Sequence, residues 1–416
     1  MRVVIVNRFF YPDHSATSQL ATDLGIYLAA RGFGVTAVTS DQRYDSPTAR
    51  LASRQQYLGM HIQRVRATKF GRRNLIGRAL DYVSFYLAAF LAVCRVAGRG
   101  TVVIAMTDPP LLSVPTLLAA QFKGAHFINW MQDVFPEVAE RLRLLRPRAL
   151  AKPLRALRNW SLRHAGGTVV IGEQMAAALA PDCRVPPLVI PNWALEEPLE
   201  SDDPPSPGAG ASGDALRRGW GLDGDFVVGY SGNMGRAHRL DELLEAAQAL
   251  SAHRGMRFLF VGDGAQRPTL EARAKAQGLG NVMFQPYQAR ERLRDSLSLP
   301  DIHVVSLDEK LEGLIVPSKF VGILAVGRPV LWIGASGGEV GALIRESGCG
   351  VVVAPGDIAT LCAVLESLRA DHIAGGTRLR AMALQAQSLW SRKYRRRDAL
   401  EAWEKLISHC GSMPAQ

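Results

Sequence analysis

The 416-residue sequence is short of cysteine, of acidic charge and of long uninterrupted apolar runs. Its five cysteines, Cys94, Cys183, Cys349, Cys362 and Cys410, are odd in number, scattered and never in a C-x-x-C pair, which argues against a disulfide framework or a zinc site and for a reducing, cytoplasmic setting. Clustered His and Cys are missing and no D-x-D stands at a suitable strand end, so no metal is expected. The first strand leads into Asn7-Arg8-Phe9-Phe10-Tyr11-Pro12, quite unlike the G-x-G-x-x-G of a nicotinamide dehydrogenase. The opening MRVVIVNRFFYP reads as strand and loop, without the apolar stretch and cleavage site of a secretory leader. The uncharged run Tyr82–Cys94 has 13 residues, fewer than the roughly 20 of a spanning helix, so any membrane association is expected to be peripheral.

Basic charge is in excess: 49 Lys and Arg against 38 Asp and Glu, a net +11. Between Arg141 and Arg163 eight basic residues stand without one acid, interleaved with leucine. A second cluster is Ser391–Arg397. Such stretches are either a solvated helix face or a contact with anionic lipid head groups or a pyrophosphate-bearing acceptor. No nucleic-acid motif accompanies the charge, so a nucleic-acid partner is not expected.

Short apolar runs alternate with helical stretches. Val3–Val6, Val35–Thr39, Thr101–Met106, Ala125–Met131, Val169–Ile171 and Leu188–Ile190 read as buried parallel strands. After EEPLESDDPPSPGAGASG the pattern restarts at Asp225–Tyr230 and continues through Arg257–Val261, Val282–Phe284, Ile302–Ser306, Val330–Ile333 and Val351–Val353. Two successive series of βα units imply an α/β protein of two doubly wound, Rossmann-like domains facing across a cleft. The expected division is 1–195, a linker at 196–224, 225–390, and a C-terminal helix at 391–416 packing back on the first domain.

The stretch Glu312–Pro329, EGLIVPSKFVGILAVGRP, carries an acid, a Pro317-Ser318-Lys319 turn and a small-residue helix. A loop–helix joint with a nearby lysine suits an anion, because free N–H groups and the positive helix end meet it. This segment resembles the nucleotide-sugar motif of the retaining family-4 glycosyltransferases, E-G-x-x-x-P…E-A-x-A-x-G-x-P. The resemblance extends over nearly the whole chain through Asn7–Thr39, Pro191-Asn192, Tyr230–Arg236 and Val261-Gly262-Asp263-Gly264. It is nearest to the bacterial transferases that build surface polysaccharides such as O-antigen and colanic acid, and it implies the GT-B fold. Two departures stand out. Ser15-Ala16 replace the family's Gly-Gly, and Gly322 (or Phe320, counted strictly) stands where a second acid binds the ribose.

The resemblance implies sugar transfer with retention from a nucleotide-diphosphate sugar, UDP- or GDP-linked, to a saccharide acceptor carried on a polyprenyl diphosphate at the inner face of the cytoplasmic membrane. No cofactor is implied. Gly232, Asn233, Gly235, Arg236, Arg239, Pro317, Ser318 and Lys319 would hold the donor, with Arg236, Arg239 and Lys319 as charge clamps and Glu339 as a substitute for the lost acid. Glu312 would orient the sugar. Asp133, in a D-x-x-P-E pattern, would contact donor sugar or acceptor. His14, Ser15, Ala16 and Asp108 would shape the acceptor side. Two other readings share the fold: a sugar-nucleotide 2-epimerase, and a non-catalytic nucleotide-sugar-binding partner.

Overall fold

The computed structural model describes residues 1–43, 50–71, 75–145, 147–194, 211–289 and 292–412. It divides into two units, Met1–Leu195 with Arg396–Gln416, and Glu196–Arg395.

The first unit runs β1 (Arg2–Val6), α1 (Ala16–Ala30), β2 (Gly34–Ser40), β3 (Arg54–Tyr57), β4 (Met60–Val65), α2 (Leu75–Val96), β5 (Thr101–Ala105), α3 (Ser113–Phe122) and β6 (His126–Trp130). It continues with α4 (Glu137–Arg141), α5 (Ala151–His164), β7 (Gly167–Val170), α6 (Glu173–Leu179) and β8 (Leu188–Val189). Its sheet has the order β3-β4-β2-β1-β5-β6-β7-β8 and is parallel except for β3. The strands are apolar on both sides because helices cover both faces. Val3, Ile5, Val102 and Ile104 look to one core cluster, and Val4, Val6 and Val103 to the other.

The second unit runs α7 (Ala211–Gly219), β9 (Phe226–Ser231), α8 (Leu240–Ala249), β10 (Met256–Val261), α9 (Arg267–Ala276), β11 (Val282–Gln285), α10 (Leu293–Ser298) and β12 (Ile302–Ser306). It ends with α11 (Lys319–Ala325), β13 (Val330–Ile333), α12 (Glu339–Ser347), β14 (Gly350–Val353), α13 (Ile358–Ile373) and α14 (Thr377–Lys393). The six strands are all parallel, in the order β11-β10-β9-β12-β13-β14. Numbered within the unit this is 3-2-1-4-5-6, the Rossmann order, in which winding reverses between β9 and β12.

The chain then returns to the first unit as α15 (Arg396–Ser412), where Leu400, Trp403 and Ile407 are fully buried against the β1–β5 side of the core. A paired charge fixes its start: the Arg396 guanidinium donates to both oxygens of Asp23 on α1 at 2.6 and 2.7 Å, and Trp193 donates its indole N–H to the same carboxylate at 2.7 Å.

Three expectations need correction. The return helix begins at Arg396, since 391–393 still belong to α14. The linker was drawn too long: α7 falls inside it, and Leu222, with Leu216 and Trp220, packs on Val227 and Leu259 of the second unit. Residues 195–210, the rest of that stretch, lie outside the described residues. Finally, the apolar run at Tyr82–Cys94 is only the centre of α2, whose 21-residue portion Ile76–Val96 is, by length and composition, long and apolar enough to cross a membrane.

Candidate nucleotide-sugar site

Ligands of open parallel sheets gather beyond the carboxyl ends of the strands, where winding reverses. In the second unit that point lies between the ends of β9 and β12, and there the chain places Gly232, Asn233, Gly235, Arg236 and His238 opposite Ser306 and Asp308. The loop after β9 is pinned rather than free. Gly232 donates its N–H to the Val261 carbonyl at 2.9 Å, Met234 to Asp263 at 2.7 Å, and the Gln266 amide donates to the Gly235 and His238 carbonyls. At Gly262, with φ 133°, any Cβ would run into the Gly232 carbonyl, so the two loops approach as closely as they do only with glycine there.

Lys319 opens α11 and reaches into this corner. Its ammonium donates to the Tyr230 hydroxyl, lies 3.7 Å from the centroid of the Tyr230 ring, and stands beside Gly232. Among the described residues no carboxylate lies within ion-pair distance of it. The side chain keeps some accessible surface, yet the protein packed around the ammonium holds its pKa well below the usual lysine value. An ammonium in such surroundings without a counter-charge is a site for an anion.

His238 completes the corner, and sequence reasoning passed it over. Its Nδ1 faces the Ser306 carbonyl at 2.6 Å and so carries the proton, leaving Nε2 to accept from the Lys319 ammonium at 3.5 Å. Burial first, then the Lys319 charge, lower its pKa to about 3, so the imidazole is neutral. The histidine was hidden because nothing in the GRAHR string marks which side chain turns inward.

Of the other expected clamps, Arg239 donates from its guanidinium to Glu242 at 2.7 Å in the first turn of α8, and its backbone N–H donates to the Ser306 hydroxyl at 2.9 Å. Arg236 is exposed in the loop, with no ion-pair partner among the described residues. Pro317 is buried and Ser318, exposed, immediately precedes α11.

Glu312 stands at the end of a short turn after β12. Its Oε1 accepts the backbone N–H of Glu339 at 2.7 Å, at the start of α12, and its Oε2 is buried without a partner. Gly338 allows this, because a Cβ there would collide with the carboxylate. Burial, above all, raises the pKa of Glu312; the Glu339 N–H opposes that shift and the Glu339 charge adds to it. The side chain of Phe320 is fully buried, and a Cβ at Gly322 would make an ordinary contact with Leu297 at 3.4 Å.

In the first unit the same rule collects His14, Ser15 and Ala16 after β1, Asp108 after β5 and Asp133 after β6. His14 and Ala16 are exposed, and the Ser15 hydroxyl is buried without a partner at the start of α1. Asp133 presents accessible surface, yet the protein packed around it and the nearby Asp108 charge raise its carboxyl to about 6. Beside it Gln132 and Asn192 exchange two amide hydrogen bonds at 3.2 and 2.8 Å, locking the loop.

The basic run 141–163 is largely answered within the unit. Arg155 binds Glu137 and Glu140, and Arg158 is buried against Glu137 and Asp182. These two charges are therefore not available to a lipid surface. Arg146 lies outside the described residues. Among the described residues no group of three or more His, Cys, Asp or Glu is placed to hold a metal ion.

Residues 225–371 match the family model described as glycosyl transferases group 1. Over 309 residues the chain is 27% identical to the probable glycosyltransferase WbjE of Pseudomonas aeruginosa, covering 72% of this chain and 74% of that protein. Over 157 residues it is 34% identical to the putative colanic acid biosynthesis glycosyl transferase WcaI of Escherichia coli K12, covering 37% of this chain and 38% of that one. The crystal structure of HepE from Anabaena in complex with UDP-glucose superposes with a TM-score of 0.71 at 15% identity, over 98% of this chain and 100% of that chain. The second unit thus matches the group 1 glycosyltransferase model over residues 225–371, in a chain with the two Rossmann-like domains of the GT-B fold.

Proposed function

We propose that the chain is a retaining glycosyltransferase that moves a sugar from a UDP- or GDP-sugar to a saccharide carried on a polyprenyl diphosphate, in bacterial surface-polysaccharide synthesis at the inner face of the cytoplasmic membrane. One observation carries the donor half of this reading. At the winding reversal of the second unit, the Lys319 ammonium sits among protein atoms beside the glycine loop after β9, with no carboxylate among the described residues within ion-pair distance. The HepE complex with UDP-glucose supports the donor class, the name of WbjE supports glycosyl transfer, and the name of WcaI supports the polysaccharide class.

The chemistry follows from the charges. The bond between the sugar's anomeric carbon and the diphosphate oxygen breaks, and the electron pair leaves with the diphosphate. The acceptor oxygen bonds to the same face of that carbon, and its proton passes to the departing phosphate. Negative charge grows on the diphosphate, where Lys319 and Arg236 meet it. Glu312, its carboxylate held at the start of α12, orients the sugar. The first unit binds the acceptor, with Asp133 contacting acceptor or donor sugar. The test is a transfer assay with UDP- and GDP-sugars and a polyprenyl-diphosphate-linked saccharide, the new linkage being read by NMR. An anomeric configuration equal to the donor's supports retention; inversion, or donor hydrolysis without acceptor dependence, overturns the reading.

A further inference from the structure

Helix α2 has two apolar faces. One is core: Phe85, Ala89, Ala92 and Val93 are fully buried against Val4, Val6, Val38 and Val103 of the sheet. The other is open. Ile76, Leu80, Val83, Leu87 and Leu91 are all exposed, Leu87 at 64% and Ile76 at 70%. Their spacing of four, three, four and four residues puts them in one stripe about 80° wide and roughly 22 Å long. Helix α3 packs on α2 and continues the surface with Leu118 and with Phe122, which is 79% exposed. Single exposed leucines are ordinary; an aligned row of this length marks an interaction surface.

The charges around the row have one sign. Helices α2, α3 and α5, which pack side by side, contain a single acid, Asp81. Its carboxylate is buried, accepting the Thr68 hydroxyl and the N–H groups of Phe70 and Gly71. Among the described residues, the exposed charges on these helices and the segments flanking them, including Lys69, Arg78, Arg95, Arg99 and Lys152, are all basic.

We infer that this face docks the first unit on an anionic lipid bilayer, with the α2 stripe and Phe122 entering the boundary between head groups and acyl chains and the surrounding lysines and arginines lying against lipid phosphates. An apolar stripe with a cationic rim is the pattern of a helix lying in the interface. A second copy of the chain fits less well, because it would set one cationic rim against another. Helix α2 has the length to cross a bilayer, yet leaving the sheet would expose Phe85, Ala89, Ala92 and Val93, so it lies flat. The surface bears on where the proposed reaction takes place but is independent of the donor chemistry.

The test is flotation of the full-length chain with vesicles of phosphatidylcholine alone or with about one-third phosphatidylglycerol. The wild type should bind the anionic vesicles at least tenfold better, and high salt should release it. The double variant Leu87→Glu/Phe122→Glu should lose at least tenfold in binding, with its melting temperature and its calorimetric affinity for UDP unchanged. In Leu87→Trp, tryptophan emission should shift to the blue on vesicle addition and be quenched by brominated acyl chains. Wild type that ignores anionic vesicles, a double variant that binds as before, or Trp emission that stays unquenched overturns the assignment. So does a dimer in light scattering that Leu87→Glu dissociates. Absence of nucleotide binding with vesicle binding intact would sink the transferase reading and leave this surface standing.

Discussion

Glu312 reaches across to the start of α12 and accepts the Glu339 backbone N–H at 2.7 Å, so one carboxylate oxygen serves as a helix cap while the other is buried without a partner. The two oxygens can be separated by mutation. Glu312→Gln keeps an acceptor for the cap and loses the charge. Its turnover should fall by two orders of magnitude or more, with affinity for free UDP within about threefold of wild type and melting unchanged. Glu312→Ala should also lose about 1 kcal/mol of stability through the missing cap. Equal loss of UDP affinity in Glu312→Gln would place the residue on the nucleotide instead of the sugar.

Asp133 offers a pH test. Its carboxyl titrates at about 6, so kcat/KM should fall as pH drops through that value if the ionised form acts. The same shift has a stability sign. A folded-state pKa above the ordinary carboxylate value means that ionisation disfavours the fold at pH values above about 4. Asp133→Asn should therefore melt higher than wild type at pH 8 and no higher at pH 4, while showing low activity without the acid limb. An acid limb that survives the substitution assigns the titration to another group.

The strands of both units could be read from the sequence because parallel strands covered on both faces are continuous apolar runs, as in Val3–Val6 and Val330–Ile333. The β3–β4 hairpin escaped notice: Arg54, Gln55 and Gln56 lie on an edge strand whose side chains are not buried, so periodicity carried no signal. The glycines and Lys319 of the donor corner were legible from their motif. The partners were not, since His238, Ser306 and Tyr230 meet only through the order of β9 and β12. The ion pair of Arg239 with Glu242 was equally hidden, since it forms only where the chain turns into α8.

His303 makes the second unit sensitive to acid. It is fully buried on β12, bonds the Leu297 carbonyl at 2.7 Å through Nε2, and has its pKa lowered to about 4, chiefly by burial. Between pH 6.5 and 4 the unfolded chain binds a proton that the folded unit refuses, so stability falls as pH falls across that window, by on the order of 3 kcal/mol for this one group. In thermal melts His303→Gln should start less stable at pH 7.5 and lose less on going to pH 4.5. A parallel decline in both proteins would shift the blame elsewhere.

The link from Arg396 to Asp23 is a buried ion pair with an indole added. Asp23→Ala leaves the guanidinium and the Trp193 N–H without their shared acceptor, and should destabilise the first unit by about 3–5 kcal/mol in denaturant titrations. Removing both charges with Asp23→Leu/Arg396→Met should restore much of that loss; a double variant as unstable as the single one would show that the pair matters through packing alone.

The central claim is that the second unit binds a nucleotide-diphosphate sugar on the Lys319 ammonium. Calorimetric titration of UDP, GDP, ADP and CDP into wild type and Lys319→Met measures this directly. The account predicts saturable binding of one of these nucleotides by the wild type. It predicts at least a tenfold loss in Lys319→Met, since a charge-assisted contact contributes about 1.5–3 kcal/mol, with no fall in melting temperature once an ammonium lacking a counter-charge is gone. A wild type that binds none of the four, or a folded Lys319→Met that binds as tightly as wild type, would contradict it.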